Sequence, residues 1–146
     1  MNSPILAPVV ALVGWTLLVM IWMMAARFAA MKRKNISLKG RVGGRGGTQL
    51  EGVVEDQVMW KAHNYMHLVE QPTLFYAIAL ALALGHAGGG NSLILAWAYV
   101  GLRVAHSLVQ ATVNVVAYRF LLFALSSLAL IGLTIQGIRM MFSPLY

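Results

Sequence analysis

Cysteine is absent from this chain of 146 residues, and only 10% of its residues are charged, four of them acidic. The missing cysteine excludes disulfides, thiolate metal sites and cysteine nucleophiles, and it leaves the cellular compartment open. The low charge, beside 60% hydrophobic residues, excludes an ordinary soluble domain, in which about a quarter of the residues are charged. The composition predicts a membrane protein, and the length predicts one domain.

Four apolar blocks cover most of the chain, at residues 4–31, 57–84, 92–115 and 117–138. Each is long enough for a membrane-spanning helix, which needs roughly 20 mainly apolar residues. We expect that the first block is not a cleaved signal peptide, because its apolar run is too long and no positive residue precedes it. The sequence therefore predicts an all-α, integral membrane four-helix bundle that forms a single membrane domain.

Positive charge is concentrated in one part of the chain. The net charge is +7, and seven of the eleven Lys and Arg fall between Arg27 and Arg45. Most of these lie in the glycine-rich segment 32–56, which is typical of a flexible linker. The positive-inside rule places this loop in the cytoplasm and both termini outside. We expect the cluster to lie near lipid headgroups, with no nucleic-acid partner.

The third apolar block carries five polar side chains on one helical face. A helix turns by about 100° per residue, and this spacing brings the five side chains into an arc about 100° wide. These residues are Arg103, His106, Ser107, Gln110 and Asn114. Lipid faces the opposite, apolar side, so the polar face is expected to meet protein or a water-filled cavity.

The second apolar block has a matching polar face, made of His63, Asn64, His67 and Glu70. Counting residues from the cytoplasmic ends puts Glu70 ~20 Å and Arg103 ~18 Å into the membrane. The same count gives His67 and His106 similar depths. We therefore expect Glu70 and Arg103 to contact one another, within a subunit or across an interface.

Three interpretations of these facing polar residues stay open. The first interpretation is purely structural: an ion pair that holds two helices together. A metal site is a second, since His63 and His67 are four residues apart, but no His-Glu-x-x-His motif surrounds them and no metal is expected. The third is a binding site for a polar ligand. The number of polar residues favours a ligand, because one ion pair does not require so many.

The stretches AHNYMHLVEQPTLFYAIALAL and AWAYVGLRVAHSLVQ, with the arginine in NVVAYRFLLF, resemble the MAPEG superfamily, the membrane-associated proteins in eicosanoid and glutathione metabolism. The likeness covers the second to fourth blocks and looks closest to the bacterial branch, which implies a bacterial inner membrane. It implies a homotrimer with glutathione bound between subunits on the cytoplasmic side. It also implies that the glutathione thiolate attacks a lipophilic electrophile or peroxide.

The resemblance assigns roles to several residues. It implies that Arg119 is the catalytic arginine that stabilises the thiolate. Glutathione is then expected to contact the residues of the polar faces, namely Asn64, His67, Glu70, Arg103, His106 and Gln110. The sequence departs from the family pattern at five positions, where it has Trp60, His67, Gln110, Phe120 and Phe123. An alternative for Arg119 is a side chain at the end of a helix that reaches the headgroups.

Two functions remain open at this point. The first is a transferase or peroxidase that uses glutathione or another thiol on lipophilic small molecules. Because the chain has no cysteine, the thiol has to come from a cosubstrate. The second is a non-catalytic membrane protein that binds a lipid-like ligand or a partner through the same cavity. The altered positions favour the second function, whereas Asn64, Arg103 and Arg119 together favour the first.

Overall fold

The structure is a computed structural model that describes residues 3–37, 39–40 and 50–142. Within these ranges the chain forms five α-helices: α1 (Leu6–Arg33), α2 (Asp56–Glu70), α3 (Pro72–Leu84), α4 (Asn91–Thr112) and α5 (Val116–Phe142). Helices α2 and α3 follow one another as a single span, so four helical segments are long and apolar enough to cross a membrane. The predicted all-α architecture with four such segments is confirmed.

The core lies where α1, α3, α4 and α5 meet. Phe75 of α3 stacks on Tyr99 of α4, with ring centroids 4.6 Å apart. Leu12 of α1 and Leu133 of α5 are fully buried in the same cluster. The outward faces of the helices carry many exposed large hydrophobic residues, as expected of a chain surrounded by lipid or by other subunits.

The second span is broken at Gln71 and Pro72, a feature that the prediction of one continuous helix missed. Proline has no N–H and its ring clashes with the carbonyl four residues earlier, so it ends or kinks a helix. The missing N–H of Pro72 removes the helical donor of the Leu68 carbonyl, four residues earlier. Side chains donate to two other carbonyls in the last turn of α2: Arg103 to that of His67, and Thr73 to that of Glu70.

The turn between the third and fourth spans lies earlier than predicted, at residues 113–115. Helix α4 ends at Thr112, and the N–H groups of Val113 and Asn114 both donate to the carbonyl of Val109. Asn114 has a φ of 52°, in the left-handed region that asparagine tolerates better than most residues. The placement of Asn114 on the polar face of the helix was therefore wrong, because the helix has already ended.

The segment between the first and second spans is described only in part. Arg41 and Arg45, which contribute to the predicted cytoplasmic cluster, lie outside the described residues. At the edge of the described segment, Arg33 at the end of α1 forms an ion pair with Glu55, the residue before α2, at 3.3 Å. This pair links the end of the first span to the start of the second.

Candidate functional site

Arg103, in the middle of α4, is 1% exposed. Its Nη2 donates to the main-chain carbonyl of His67 at 2.6 Å. Its Nε and Nη1 are buried and have no hydrogen-bond partner among the described residues. A buried donor without a partner is costly, and a buried charge without one is more so. The two remaining donors of Arg103 are therefore suited to an anionic ligand.

Arg119 lies in the first turn of α5, just after the turn that contains Asn114. Its Nη1 donates to Oδ1 of Asn114 at 2.7 Å. Its Nε is buried without a partner in the described part of the chain. The left-handed turn thus positions Arg119 through a side-chain amide, and one donor of its guanidinium remains available.

Both arginines line one cavity of about 290 Å³, which opens between the end of α2, the second half of α4 and the start of α5. Its lining residues are His67, Glu70, Gln71, Arg103, His106, Val116, Arg119, Phe120 and Phe123. The structure therefore brings together five of the seven residues that the sequence predicts for the site. We call this space the arginine cavity.

Asn64 and Gln110, the other two predicted site residues, do not line the arginine cavity. Asn64 is fully buried and donates from Nδ2 to Oγ of Ser107 at 2.8 Å. The same hydroxyl oxygen accepts the indole N–H of Trp15 at 3.0 Å, so Ser107 joins α1, α2 and α4. Oε1 of Gln110 lies 2.9 Å from Nδ1 of His67. Both amides position other groups and do not line the cavity.

The histidines of the two predicted polar faces are divided between two places. His67 and His106 lie close together at the arginine cavity, with ring centroids 6.0 Å apart, as the comparison of depths predicts. His63 is directed elsewhere and pairs with Glu51 at 3.0 Å. Among the described residues no group of three or more His, Asp or Glu side chains is placed to hold a metal ion. His63 and His67 thus line different cavities.

Glu70 lines the arginine cavity but does not form the ion pair that we expected within one chain. Its carboxylate is exposed, and no ion pair with Arg103 forms among the described residues, whose ion pairs are Arg33–Glu55 and His63–Glu51. The hydrogen bond of Arg103 is instead made with the backbone of α2. The structure thus shows both residues at one cavity without an ion pair between them, and their contact, within a subunit or across an interface, stays a prediction.

The sequence interpretation missed Gln71, which the structure places at the same cavity. Its Nε2 donates to Oγ of Ser127 on α5 at 2.8 Å, and its Oε1 accepts the hydroxyl of Tyr99 on α4 at 3.4 Å. Val116, Phe120 and Phe123 complete the wall. Their spacing along α5 places them on the face of Arg119, so a helical wheel drawn from Arg119 identifies them.

Residues 5–139 match the sequence model of the MAPEG family, a range that includes nearly all of the five helices. The chain belongs to the MAPEG family. With its four apolar spans, it is therefore an integral membrane protein of the MAPEG type. Searches among curated proteins and among solved structures gave no significant match. Every residue of the arginine cavity lies within the range matched to the MAPEG family.

Proposed function

We propose that this MAPEG protein is a thiol-dependent transferase or peroxidase that acts on lipophilic electrophiles or hydroperoxides, with glutathione as the thiol cosubstrate. One observation carries the proposal: two arginines line a single cavity, and both keep buried donors without partners in the described chain. Arginine is the residue that best recognises carboxylates, because its planar fork donates two parallel hydrogen bonds.

The charges of the arginine cavity suit glutathione. Two guanidiniums and one carboxylate line the cavity, from Arg103, Arg119 and Glu70. Glutathione carries two carboxylates and one ammonium, so the signs complement one another. Glutathione also supplies the reactive thiol, which a chain without cysteine cannot provide. Arg103 is assigned to a carboxylate, and Glu70 is assigned to the ammonium.

Arg119 is assigned to the thiol sulfur. Its guanidinium remains protonated under all ordinary conditions, and a fixed positive charge favours a thiolate over a thiol. Arg119 also lies at the N-terminal end of α5, where the helix dipole favours a negative group. The apolar side chains of Val116, Phe120 and Phe123 line this end of the cavity. Asn114 keeps the guanidinium in place through its 2.7 Å hydrogen bond.

Both reactions balance with the groups named. In conjugation, the sulfur forms a bond to the electrophilic carbon, the leaving group departs with the electron pair of its bond, and the thiol proton is released. In peroxide reduction, two thiols are oxidised to a disulfide, and the hydroperoxide is reduced to an alcohol and water. The role of Arg119 is the same in both, because each begins with the thiolate as nucleophile.

We also propose that the protein is a homotrimer in a bacterial inner membrane, with segment 32–56 in the cytoplasm. The cavity volume of about 290 Å³ is at the lower end of the range for small-molecule sites, roughly 300–1,000 Å³. A second subunit that covers the exposed side of Glu70 would enlarge and close the site. The number of subunits is taken from what the family resemblance implies.

The alternative function is a non-catalytic protein that binds a lipid-like ligand or a partner in the same cavity. It is favoured by Phe120 and Phe123, which stand where the family resemblance implies a serine and a tyrosine. Both phenylalanines line the cavity, and their side chains offer a ligand no hydrogen bond. Such a wall suits the apolar part of a lipid as well as it suits an apolar substrate.

A turnover experiment separates these functions. The purified protein in detergent is supplied with glutathione and either 1-chloro-2,4-dinitrobenzene or an alkyl hydroperoxide. We expect turnover by the unaltered chain and none by Arg119→Ala, while light scattering shows the same trimer for both. If neither substrate is turned over and glutathione does not bind at millimolar concentration, the enzyme proposal fails and the ligand-binding alternative replaces it.

A further inference from the structure

His67 lines the arginine cavity from the last turn of α2, and its ring is held in one orientation. Nδ1 of the imidazole lies 2.9 Å from Oε1 of Gln110, a residue that is buried outside the cavity lining. An amide oxygen accepts hydrogen bonds and donates none, so the proton of the neutral ring is on Nδ1. Nε2, on the opposite edge of the ring, then carries the free lone pair. His67 is thus an oriented imidazole with one basic nitrogen at the arginine cavity.

The backbone of His67 is fixed as well as its ring. Its carbonyl accepts a hydrogen bond from Nη2 of Arg103 at 2.6 Å. Two hydrogen bonds therefore hold this one residue of α2 against α4, one made by the side chain and one by the main chain. A base that is oriented by a third group in this way is the arrangement found where a side chain activates a nucleophile.

Charged and titratable groups line the same cavity from three helices. Helix α4 supplies Arg103 and His106, α5 supplies Arg119, and α2 supplies Glu70 beside His67. The ring centroids of the two histidines are 6.0 Å apart, but His106 is buried, whereas His67 is half-buried. Glu70 is exposed and lies three residues after His67, so the two side chains are neighbours on the helix surface. His67 is therefore the histidine with a carboxylate beside it on the way to water.

Proton transfer within the cavity keeps its charges balanced. With glutathione bound as a thiol, the two guanidiniums and the ammonium balance Glu70 and the two carboxylates of the ligand. If the thiol proton left for the solvent, the thiolate would add a negative charge without a counterpart. If the proton moved to His67, the imidazolium would balance the thiolate. A charge that is taken from water without a partner is costly, so the second arrangement is favoured.

We propose that His67 is the base that takes the thiol proton of glutathione and holds it beside the thiolate. This inference rests on the proposed function, in which Arg119 stabilises the thiolate, and it names the group that receives the proton. The S–H bond breaks, its electron pair stays on sulfur, and Nε2 of His67 binds the proton. Imidazole is suited to this step because its charge changes close to neutral pH. The sequence departs from the family pattern at His67, so the base is a property of this chain.

The proton on His67 is then used in the reduction of a hydroperoxide. The thiolate attacks the outer oxygen, the S–O bond forms as the O–O bond breaks, and the leaving alkoxide takes the proton from Nε2. The products are an alcohol and the sulfenic acid of glutathione, which a second glutathione converts to the disulfide and water. In the conjugation of 1-chloro-2,4-dinitrobenzene, chloride leaves without a proton. The proton on His67 then passes to water.

A proton count tests the assignment without any turnover. Glutathione is titrated into the purified protein in detergent by calorimetry, in buffers of different ionisation enthalpy, which gives the number of protons released. The ultraviolet thiolate band gives the amount of thiolate formed, and S-methylglutathione, which has no thiol, corrects for protons released by other groups. We expect the unaltered chain to form thiolate without releasing its proton. His67→Gln should release a full proton for each thiolate.

His63→Gln is the matched control, because His63 is one turn earlier on α2 and pairs with Glu51 at a different cavity. It should retain the proton as the unaltered chain does. Release of a full proton by the unaltered chain would overturn the inference and leave the proposed function intact. Loss of the retained proton in His106→Gln, with retention in His67→Gln, would overturn it too. If the unaltered chain binds glutathione without a thiolate band, the proposed function fails, and this inference fails with it.

A kinetic comparison adds a second readout. His67→Gln should lower the turnover of tert-butyl hydroperoxide at least about tenfold more than that of 1-chloro-2,4-dinitrobenzene, since general acid catalysis typically contributes ~10²–10⁴-fold. The reason is that only the alkoxide needs a proton in order to leave. Equal losses for the two substrates would show that His67 does not donate to the leaving oxygen and would overturn that step.

Discussion

Nη2 of Arg103 donates to the main-chain carbonyl of His67 at 2.6 Å, and this bond joins the polar middle of α4 to the end of α2. The carbonyl lies in the last turn of α2, just before the break at Gln71 and Pro72. The backbone of α2 thus provides the anchor of the buried guanidinium. The other donors of Arg103 are left for a ligand.

The buried hydroxyl of Ser107 is predicted to matter for stability. Ser107→Ala leaves the amide of Asn64 and the indole of Trp15 without their shared acceptor. We expect a loss of about 1–3 kcal/mol in the free energy of unfolding, measured by denaturant titration in detergent. Ser126→Ala is the control, because Ser126 is equally buried and donates only to a carbonyl of its own helix. Equal losses for both variants would contradict the bridging role of Ser107.

Much of this fold follows from simple periodicities in the sequence. Runs of apolar residues define the four spans, and the 100° step of a helix places Arg103, His106, Ser107 and Gln110 on one buried face. Counting residues from the helix ends also predicts that His67 and His106 lie at the same depth, and the structure places them side by side. These properties depend on one helix at a time, or on the depth that two helices share.

The missed features depend on local backbone geometry or on contacts between helices. The sequence shows Arg103 in the fourth helix, but whether its guanidinium reaches the carbonyl of His67 depends on where α4 lies against α2. Asn114 does not lie on the polar face of α4, because the helix has ended and the chain turns there with a positive φ. Glu70 and Arg103 have similar depths, yet the direction of each side chain decides whether they meet. The depth of a residue in the membrane does not determine the direction of its side chain.

Glu70 is predicted to bind the ammonium group of glutathione. Glu70→Gln should weaken glutathione binding by up to about tenfold, or about 1.4 kcal/mol, as measured by isothermal titration calorimetry. The same substitution should leave the binding of N-acetylglutathione unchanged, because that analogue has no ammonium. If both ligands lose the same affinity, Glu70 acts through the structure of the cavity and not through the ammonium.

The topology is predicted from the cluster of Lys and Arg after the first span, which places Ser37 in the cytoplasm. Single cysteines at Ser37 and Asn91 are suitable reporters, since both positions are exposed and the chain has no other cysteine. Ser92 is buried and therefore less suitable than its neighbour. In intact cells, an impermeant thiol reagent should label the cysteine at Asn91 only. Labelling at Ser37 alone would invert the topology.

The ion pair between Arg33 and Glu55 is predicted to depend on pH. A hydrogen bond from its own backbone N–H, and then the charges of Arg33 and Lys34, hold the pKa of the Glu55 carboxyl below its usual 4.5. A lowered pKa in the folded state stabilises the fold above pH 4.5, and this contribution disappears as the pH falls through the lowered pKa.

Thermal unfolding of the unaltered chain and of Glu55→Gln checks this dependence. The unaltered chain should have a slightly higher Tm at neutral pH, because an exposed ion pair contributes little. The difference in Tm should vanish in acid. A difference that grows as the pH falls would show that Glu55 stabilises the fold in its protonated form.

The central claim is that Arg119 holds a thiolate in the arginine cavity. The most direct measurement is the ultraviolet difference spectrum of glutathione added to the purified protein at neutral pH, where the thiolate absorbs and the thiol does not. We predict a thiolate band with the unaltered chain, its loss in Arg119→Gln, and glutathione binding by calorimetry in both. Binding without a thiolate band in the unaltered chain, or a band that persists in Arg119→Gln, would contradict the claim.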